Sequence, residues 1–225
     1  MTSGIRKALA NLLPLTLAVA WLASASAATP PEAAPLEPAR LIASLGRDAP
    51  ARTAFTEVRF SGLLDRPLIA RGELEYLGPG QLGKRVDTPY REDTRIAGGE
   101  VTVQRGKRAP RRFSLSQIPE LEGFLRGFGA LLGGDAAALE KDFTLAASGN
   151  PAHWRLELTP RDPRLARRVS AIEVDGSGDT PLCFRTREAD GDVGVLLVER
   201  LATVKLPPRP APAQLENLCR GGKAP

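Results

Sequence analysis

Gly72 to Gly80 reads GELEYLGPG. In an extended chain Leu74 and Tyr76 fall on one side, Glu73, Glu75 and Leu77 on the other, and Gly78-Pro79-Gly80 turns the chain back. Period-two alternation closed by a Gly/Pro turn specifies a strand of an antiparallel meander with one apolar face. The same pattern extends outward in both directions. Upstream, Thr53 to Phe60 alternates, with Val58 and Phe60 on one face and Glu57 and Arg59 on the other, and Leu63 to Ala70 follows a turn at Ser61-Gly62. Downstream come Lys84 to Thr88, ended by Pro89, then Asp93 to Ala97, a Gly98-Gly99 hairpin turn and Glu100 to Arg105. Alternation resumes at Phe143 to Ala147 and at His153 to Thr159, where Trp154, Leu156 and Leu158 share a side. Val169 to Val174, Leu182 to Glu188 and Val193 to Leu206 complete the strands.

Between the two runs of strands lies SQIPELEGFLRGFGALLGG, Ser116 to Gly134. Ile118, Leu121, Leu125, Phe128 and Leu132 recur at helical spacing, and Phe124 and Leu131 widen the apolar face. Gly123, Gly127 and Gly129 sit inside this pattern, where each costs about 1 kcal/mol relative to alanine. Two readings stand: a core helix of poor propensity, or a loosely held lid over an apolar cavity. The lid reading implies that Gly123→Ala with Gly127→Ala stiffens the helix, raises stability and slows exchange of cargo. Asp135 is placed to cap a second helix, Ala136 to Lys141, and Leu41, Ile42 and Leu45 mark a short helix between Leu36 and Gly46. Roughly ten strands with a helical insertion predict an α+β, mainly β fold. The expected form is a single curved antiparallel sheet, a half-barrel, with helices lidding its concave apolar face.

The first residues have the layout of a secretory signal peptide: Arg6 and Lys7, an apolar run from Ala8 to Ala23, then Ala25-Ser26-Ala27. Cleavage after Ala27 is expected, with secretion to the periplasm. Of 225 residues, removal of 27 leaves 198, enough for one domain. Residues 28–35 read as a flexible lead-in, 36–206 as the folded domain and 207–225 as a C-terminal tail. The formal charge of +5 falls to +3 without Arg6 and Lys7, which is no signature of nucleic-acid binding but suits an anionic surface. Arg105, Lys107, Arg108, Arg111 and Arg112 cluster around one turn, as a solvated loop or as a docking patch for anionic lipid or an acidic membrane partner. The two cysteines, Cys183 and Cys219, are either a disulfide suited to an oxidising compartment or two free thiols.

Little in the sequence points to catalysis. The single histidine, His153, lies in an alternating strand with no nucleophile elbow in the chain. One histidine and two separated cysteines match no zinc spacing, and Asp190-Gly191-Asp192 lacks the remaining ligands of a calcium loop, so no metal is expected. Nor is there a phosphate-binding glycine loop, and no cofactor is expected. Apolar strands beneath an apolar helix suit the binding of acyl chains, driven by about 0.8 kcal/mol per buried CH2. The candidate cavity and lid residues are Val58, Phe60, Leu74, Tyr76, Ile118, Leu121, Phe124, Leu125, Phe128, Trp154, Leu156 and Leu158.

Gly72 to Leu82, GELEYLGPGQL, resembles the Gly-x-Leu strand and proline turn of the outer-membrane lipoprotein carrier (LolA) family. Ala54 to Glu57 is similar to that family's Phe-Thr-Gln strand opening, Thr88-Pro89 and Gly98-Gly99-Glu100 to its later proline and turn, and Trp154 to Pro160 to its Leu-x-Pro strand ending. The resemblance implies a periplasmic carrier of acylated lipoprotein or lipid, a monomer working between an inner-membrane donor and an outer-membrane acceptor, without nucleotide, metal or nucleic acid. Where the family carries an arginine before the turn proline, implicated in holding and releasing cargo, this chain has Gly78. That departure points away from standard lipoprotein trafficking and toward a divergent relative serving a dedicated lipid or aryl-polyene export pathway. The alternative function is a lipid-sensing regulatory module that binds a membrane partner, and a periplasmic acyltransferase is a distant third.

Overall fold

A computed structural model describes residues 36–223; the expected signal peptide and lead-in lie outside the described residues. Eleven strands form one sheet: β1 (Ala51–Phe60), β2 (Leu68–Gly78), β3 (Gln81–Thr88), β4 (Glu92–Ala97), β5 (Glu100–Arg105), β6 (Arg111–Ser114), β7 (Phe143–Asn150), β8 (His153–Pro160), β9 (Val169–Ser177), β10 (Thr180–Glu188) and β11 (Val193–Val198). The helices are α1 (Pro38–Leu45), α2 (Pro119–Leu132), α3 (Ala136–Asp142), α4 (Pro163–Ala166) and α5 (Pro212–Cys219). Every neighbouring pair of strands is antiparallel, in the order β6-β5-β4-β3-β2-β1-β11-β10-β9-β8-β7. Two meanders therefore meet at the centre, where Phe55 lies between Gly72 of β2 and Val198 of β11. The α2–α3 segment connects one edge strand, β6, to the other, β7.

This order corrects the expected half-barrel. The sheet is open, with β6 and β7 as separate edges, and it is neither closed nor strongly curled. Alternation assigns side chains to faces, but closure depends on strand tilt and stagger, to which period two is blind. The edge β6 carries Arg111 and Arg112, both exposed, a charge pattern that discourages pairing with further strands.

Each face of the sheet is covered, and β1 serves both. One cluster joins Phe55, Phe143, Leu156, Val174 and Phe184 to Leu41, Ile42 and Leu45 of α1. The other joins Val58, Leu182, Val195 and Leu197 to Leu215 and Leu218 of α5. Cys183 of β10 and Cys219 of α5 form a disulfide with Cα atoms 5.6 Å apart, and both are buried. Beside it, Arg155 grips Asp175 through two bonds of 2.8 and 3.0 Å, Arg187 lies 2.9 Å from Glu173, and Arg185 bonds both Glu173 and, at 3.0 Å, Glu216 of α5. Glu173 and Asp175 are each 3% exposed, so the surrounding arginines are what make their burial tolerable. Burial works against the Arg155 guanidinium's charge, yet its bond to Asp175 and the charges of Asp175, Glu173 and Glu216 outweigh this and raise its pKa. The hydrogen bond from Arg185 holds the Glu216 carboxyl below its ordinary value.

Candidate functional site

α2 begins at Pro119 in its first turn, where a missing N–H costs nothing, and α3 is capped by the Asp135 carboxylate accepting from the Ala138 N–H at 2.9 Å. Arg126 of α2 forms a two-pronged bond to Asp142 at the end of α3, 2.7 and 2.8 Å long. That bond is the main cause of the raised Arg126 pKa. It fixes the second half of α2, while Phe128 packs against Phe184 of β10 with ring centres 5.3 Å apart.

Between α2 and the sheet lies a cavity of about 410 Å³. Leu121, Phe124, Leu125 and Phe128 form its helical wall; Leu74, Leu82, Ile96, Val101, Val103 and Phe113 line it from β2 to β6, and Ile172, Phe184 and Leu196 from β9 to β11. Protein interiors are close-packed, so a large apolar face is normally buried outright. Here Leu121, Phe124, Leu125 and Phe128 are only half-buried over the cavity, while Leu131 is fully buried. Among the described residues lining it, Glu57 and Lys84 are the charged ones.

The structure distributes the sequence-derived candidates over several places. It brings Leu74, Leu121, Phe124, Leu125 and Phe128 together in this cavity. Ile118 borders an adjoining hollow, and Tyr76 a smaller one of about 210 Å³ next to Phe128. Trp154, Leu156 and Leu158 are packed core, with the Trp154 Nε1–H donating to the Gly178 carbonyl at 2.8 Å. Val58 and Phe60 lie in the cluster beneath α5. The cavity residues of β3 to β6 have no counterpart among the candidates: Lys84 and Thr94 interrupt the apolar parity of β3 and β4 and two arginines precede Phe113 in β6, while Val101 and Val103 alternate cleanly about Thr102 in a strand too short to show which face meets the helix.

Three other features take definite places. Arg105 pairs with Glu92 at 3.3 Å and stacks over Tyr90, its guanidinium carbon 4.2 Å from the ring centre, while Lys107, Arg108, Arg111 and Arg112 are exposed along the β5–β6 hairpin. The carboxylates of Glu188, Asp190 and Asp192 come within 4.8 Å of one another. Their oxygens serve the turn, with Glu188 accepting from Arg59, Asp190 from the Asp192 N–H and Asp192 from the Gly62 N–H. Gly78 has φ of +124°, which an arginine would adopt only under strain, so the backbone itself accounts for the absence of that side chain before Pro79.

The glycines of α2 differ from one another. A Cβ at Gly123 would meet only the far end of Arg126, at 3.9 Å, and one at Gly129 would meet nothing within 4 Å. At Gly127 it would lie 2.3 Å from the Phe143 ring. Gly127 is thus the contact through which α2 settles on the sheet, and this corrects the expectation that alanine there would raise stability.

Comparison with known proteins gives one family. The family described as "Outer membrane lipoprotein carrier protein LolA-like" matches residues 28–222. No curated protein matches the sequence. Among solved structures, a LolA superfamily protein, NE2245 from Nitrosomonas europaea, is 15% identical over 76% of this chain and 96% of its own, with a TM-score of 0.40. LprF from Mycobacterium bovis is 11% identical over 79% of this chain and 99% of its own, with a TM-score of 0.34. The Pseudomonas aeruginosa MucA/MucB complex matches at 16% identity over 78% of this chain and 58% of the matched chain, with a TM-score of 0.33.

Proposed function

Because the chain belongs to the outer membrane lipoprotein carrier LolA-like family, we propose that it is a periplasmic protein that holds an acyl chain of a lipoprotein or lipid beneath α2 and moves it toward the outer membrane. It is not an enzyme. The observation that carries the proposal is the half-buried apolar face of α2 above an apolar cavity. Entry of an acyl chain completes that burial, at about 0.8 kcal/mol for each CH2 taken from water. Lys107, Arg108, Arg111 and Arg112, on the hairpin that also supplies Phe113 to the cavity wall, form the surface assigned to an anionic membrane.

Cavity size favours a second reading alongside carriage. At about 410 Å³ it stands near the lower end of the roughly 300–1,000 Å³ spanned by ligand pockets, room for one chain more readily than for a bundle. A one-chain site suits a lipid-sensing regulatory module that binds a membrane partner when its cavity is filled or emptied.

Purification from a Gram-negative periplasm followed by solvent extraction and mass spectrometry is expected to recover a co-purified acyl lipid or lipoprotein in near-equal amount to protein. Extraction of neither overturns the acyl-binding proposal. With lipid present, release to acceptor vesicles identifies a carrier, whereas occupancy-dependent capture of one membrane protein without release identifies a sensor.

A further inference from the structure

One ion pair interrupts the apolar cavity. The Lys84 ammonium of β3 donates to the Glu57 carboxylate of β1 at 2.6 Å and lies 5.2 Å from the centre of the Phe55 ring. Glu57 is opposite Ala70 and Lys84 opposite Leu74, so the contact crosses β2 diagonally at Gly72, where no side chain obstructs it. For stability alone the pair contributes little, because a partly solvated ion pair gains modest attraction and loses the side-chain entropy of holding one geometry. The two side chains keep 35% and 30% exposure, which sets them at the cavity's opening and not in its depth.

Glu57 also borders an adjoining hollow of about 510 Å³ that shares Leu121 and Phe124 with the cavity. That hollow holds Arg59, Arg168 and Glu188, with Arg59 bonded to Glu188. An amphiphile whose tail fills the cavity would therefore emerge beside Lys84 into surroundings with three cations, Lys84, Arg59 and Arg168, and two carboxylates, Glu57 and Glu188. The surplus positive charge favours an anionic head group.

We propose that the ligand is a single-chain amphiphile with an anionic head, carboxylate or phosphate, and that its head replaces Glu57 as the partner of Lys84. Glu57 is the internal stand-in that keeps Lys84 paired while the cavity is empty. On exchange its carboxylate turns toward Arg59 and Arg168. This rests on the acyl-binding proposal and specifies the polar end of the same ligand.

The test is displacement of a neutral apolar fluorophore from the purified full-length mature protein by dodecanoate, dodecyl phosphate, methyl dodecanoate and inorganic phosphate. Both anionic amphiphiles should bind about tenfold more tightly than the methyl ester, the value of one charge-assisted hydrogen bond. Lys84→Gln should abolish that preference, and Glu57→Gln should increase it by removing the competitor, the preference being read as the ratio of anionic to methyl ester affinity within each variant. Inorganic phosphate should displace nothing; displacement by it would assign Lys84 to a free anion and overturn the proposal. Equal binding of charged and neutral amphiphiles by the wild type, or a preference that survives Lys84→Gln, would also overturn it while leaving acyl binding intact. Failure of all three amphiphiles to bind would instead overturn the acyl-binding proposal.

Discussion

Cys219→Ala should lower the stability of the fold by about 4 kcal/mol, the chain-entropy value for a loop of this length. The bridge spans 36 positions from β10 to α5, so it removes a large set of conformations from the unfolded chain. The melting temperature should fall by roughly 8 to 16 °C, since each kcal/mol corresponds to about 2–4 °C for a domain of this size. Cys183, left behind as a buried thiol, packs like a small apolar side chain and adds little to the loss. The bridge and Glu216 anchor α5 on the face that carries Val58 and Leu197, while the cavity lies on the face that carries Leu74 and Leu196. Affinity for an acyl ligand at 25 °C should therefore stay within about twofold of the wild type. Thermal melts and a binding titration check both halves; an unchanged melting temperature would show that packing and the Arg185–Glu216 pair hold α5 unaided.

The second large effect separates the glycines of α2. Gly127→Ala should destabilise by about 1–3 kcal/mol, the usual cost of overpacking, because its methyl group would enter the space of the fully buried Phe143 ring. Gly123→Ala and Gly129→Ala should each stabilise by about 1 kcal/mol, since both positions are open and alanine is the better helix former. Denaturant melts of the three single variants give the comparison directly. A stabilising Gly127→Ala would mean that α2 does not rest on Phe143.

Much of the fold is legible in residues whose two neighbours agree with them. GELEYL alternates cleanly and becomes part of β2, and Asp135 caps α3 as its position before Ala136 predicts. Other parts are silent for physical reasons. RRFS gives no apolar alternation, yet it is β6, because an edge strand needs pairing on one side only. PAQLENLC follows a proline-rich run and has only Leu215 and Leu218 as large aliphatic residues, too few for periodicity to mark α5. In TAFTEVRF the apolar residues Phe55, Val58 and Phe60 do not all share a parity, and both faces of β1 are buried, so alternation cannot say which face carries the cavity. The cavity face of β1 is the one with Glu57, a charged residue that an apolar-face criterion passes over. Gly127 likewise looks like Gly123 in sequence; only the position of Phe143, 16 residues on, distinguishes them.

The cavity as an acyl-chain site is tested most directly by titrating the purified protein with a fluorescent fatty acid beside Val103→Trp, which places an indole in the space beneath α2. Val103 lines the cavity from β5 and is half-buried, so the larger side chain can occupy the void without displacing packed core. The expected result is saturable one-to-one binding by the wild type and binding at least about tenfold weaker by Val103→Trp, with the melting temperature within a few degrees. No saturable binding by the wild type, or equal binding by a folded Val103→Trp, would contradict it.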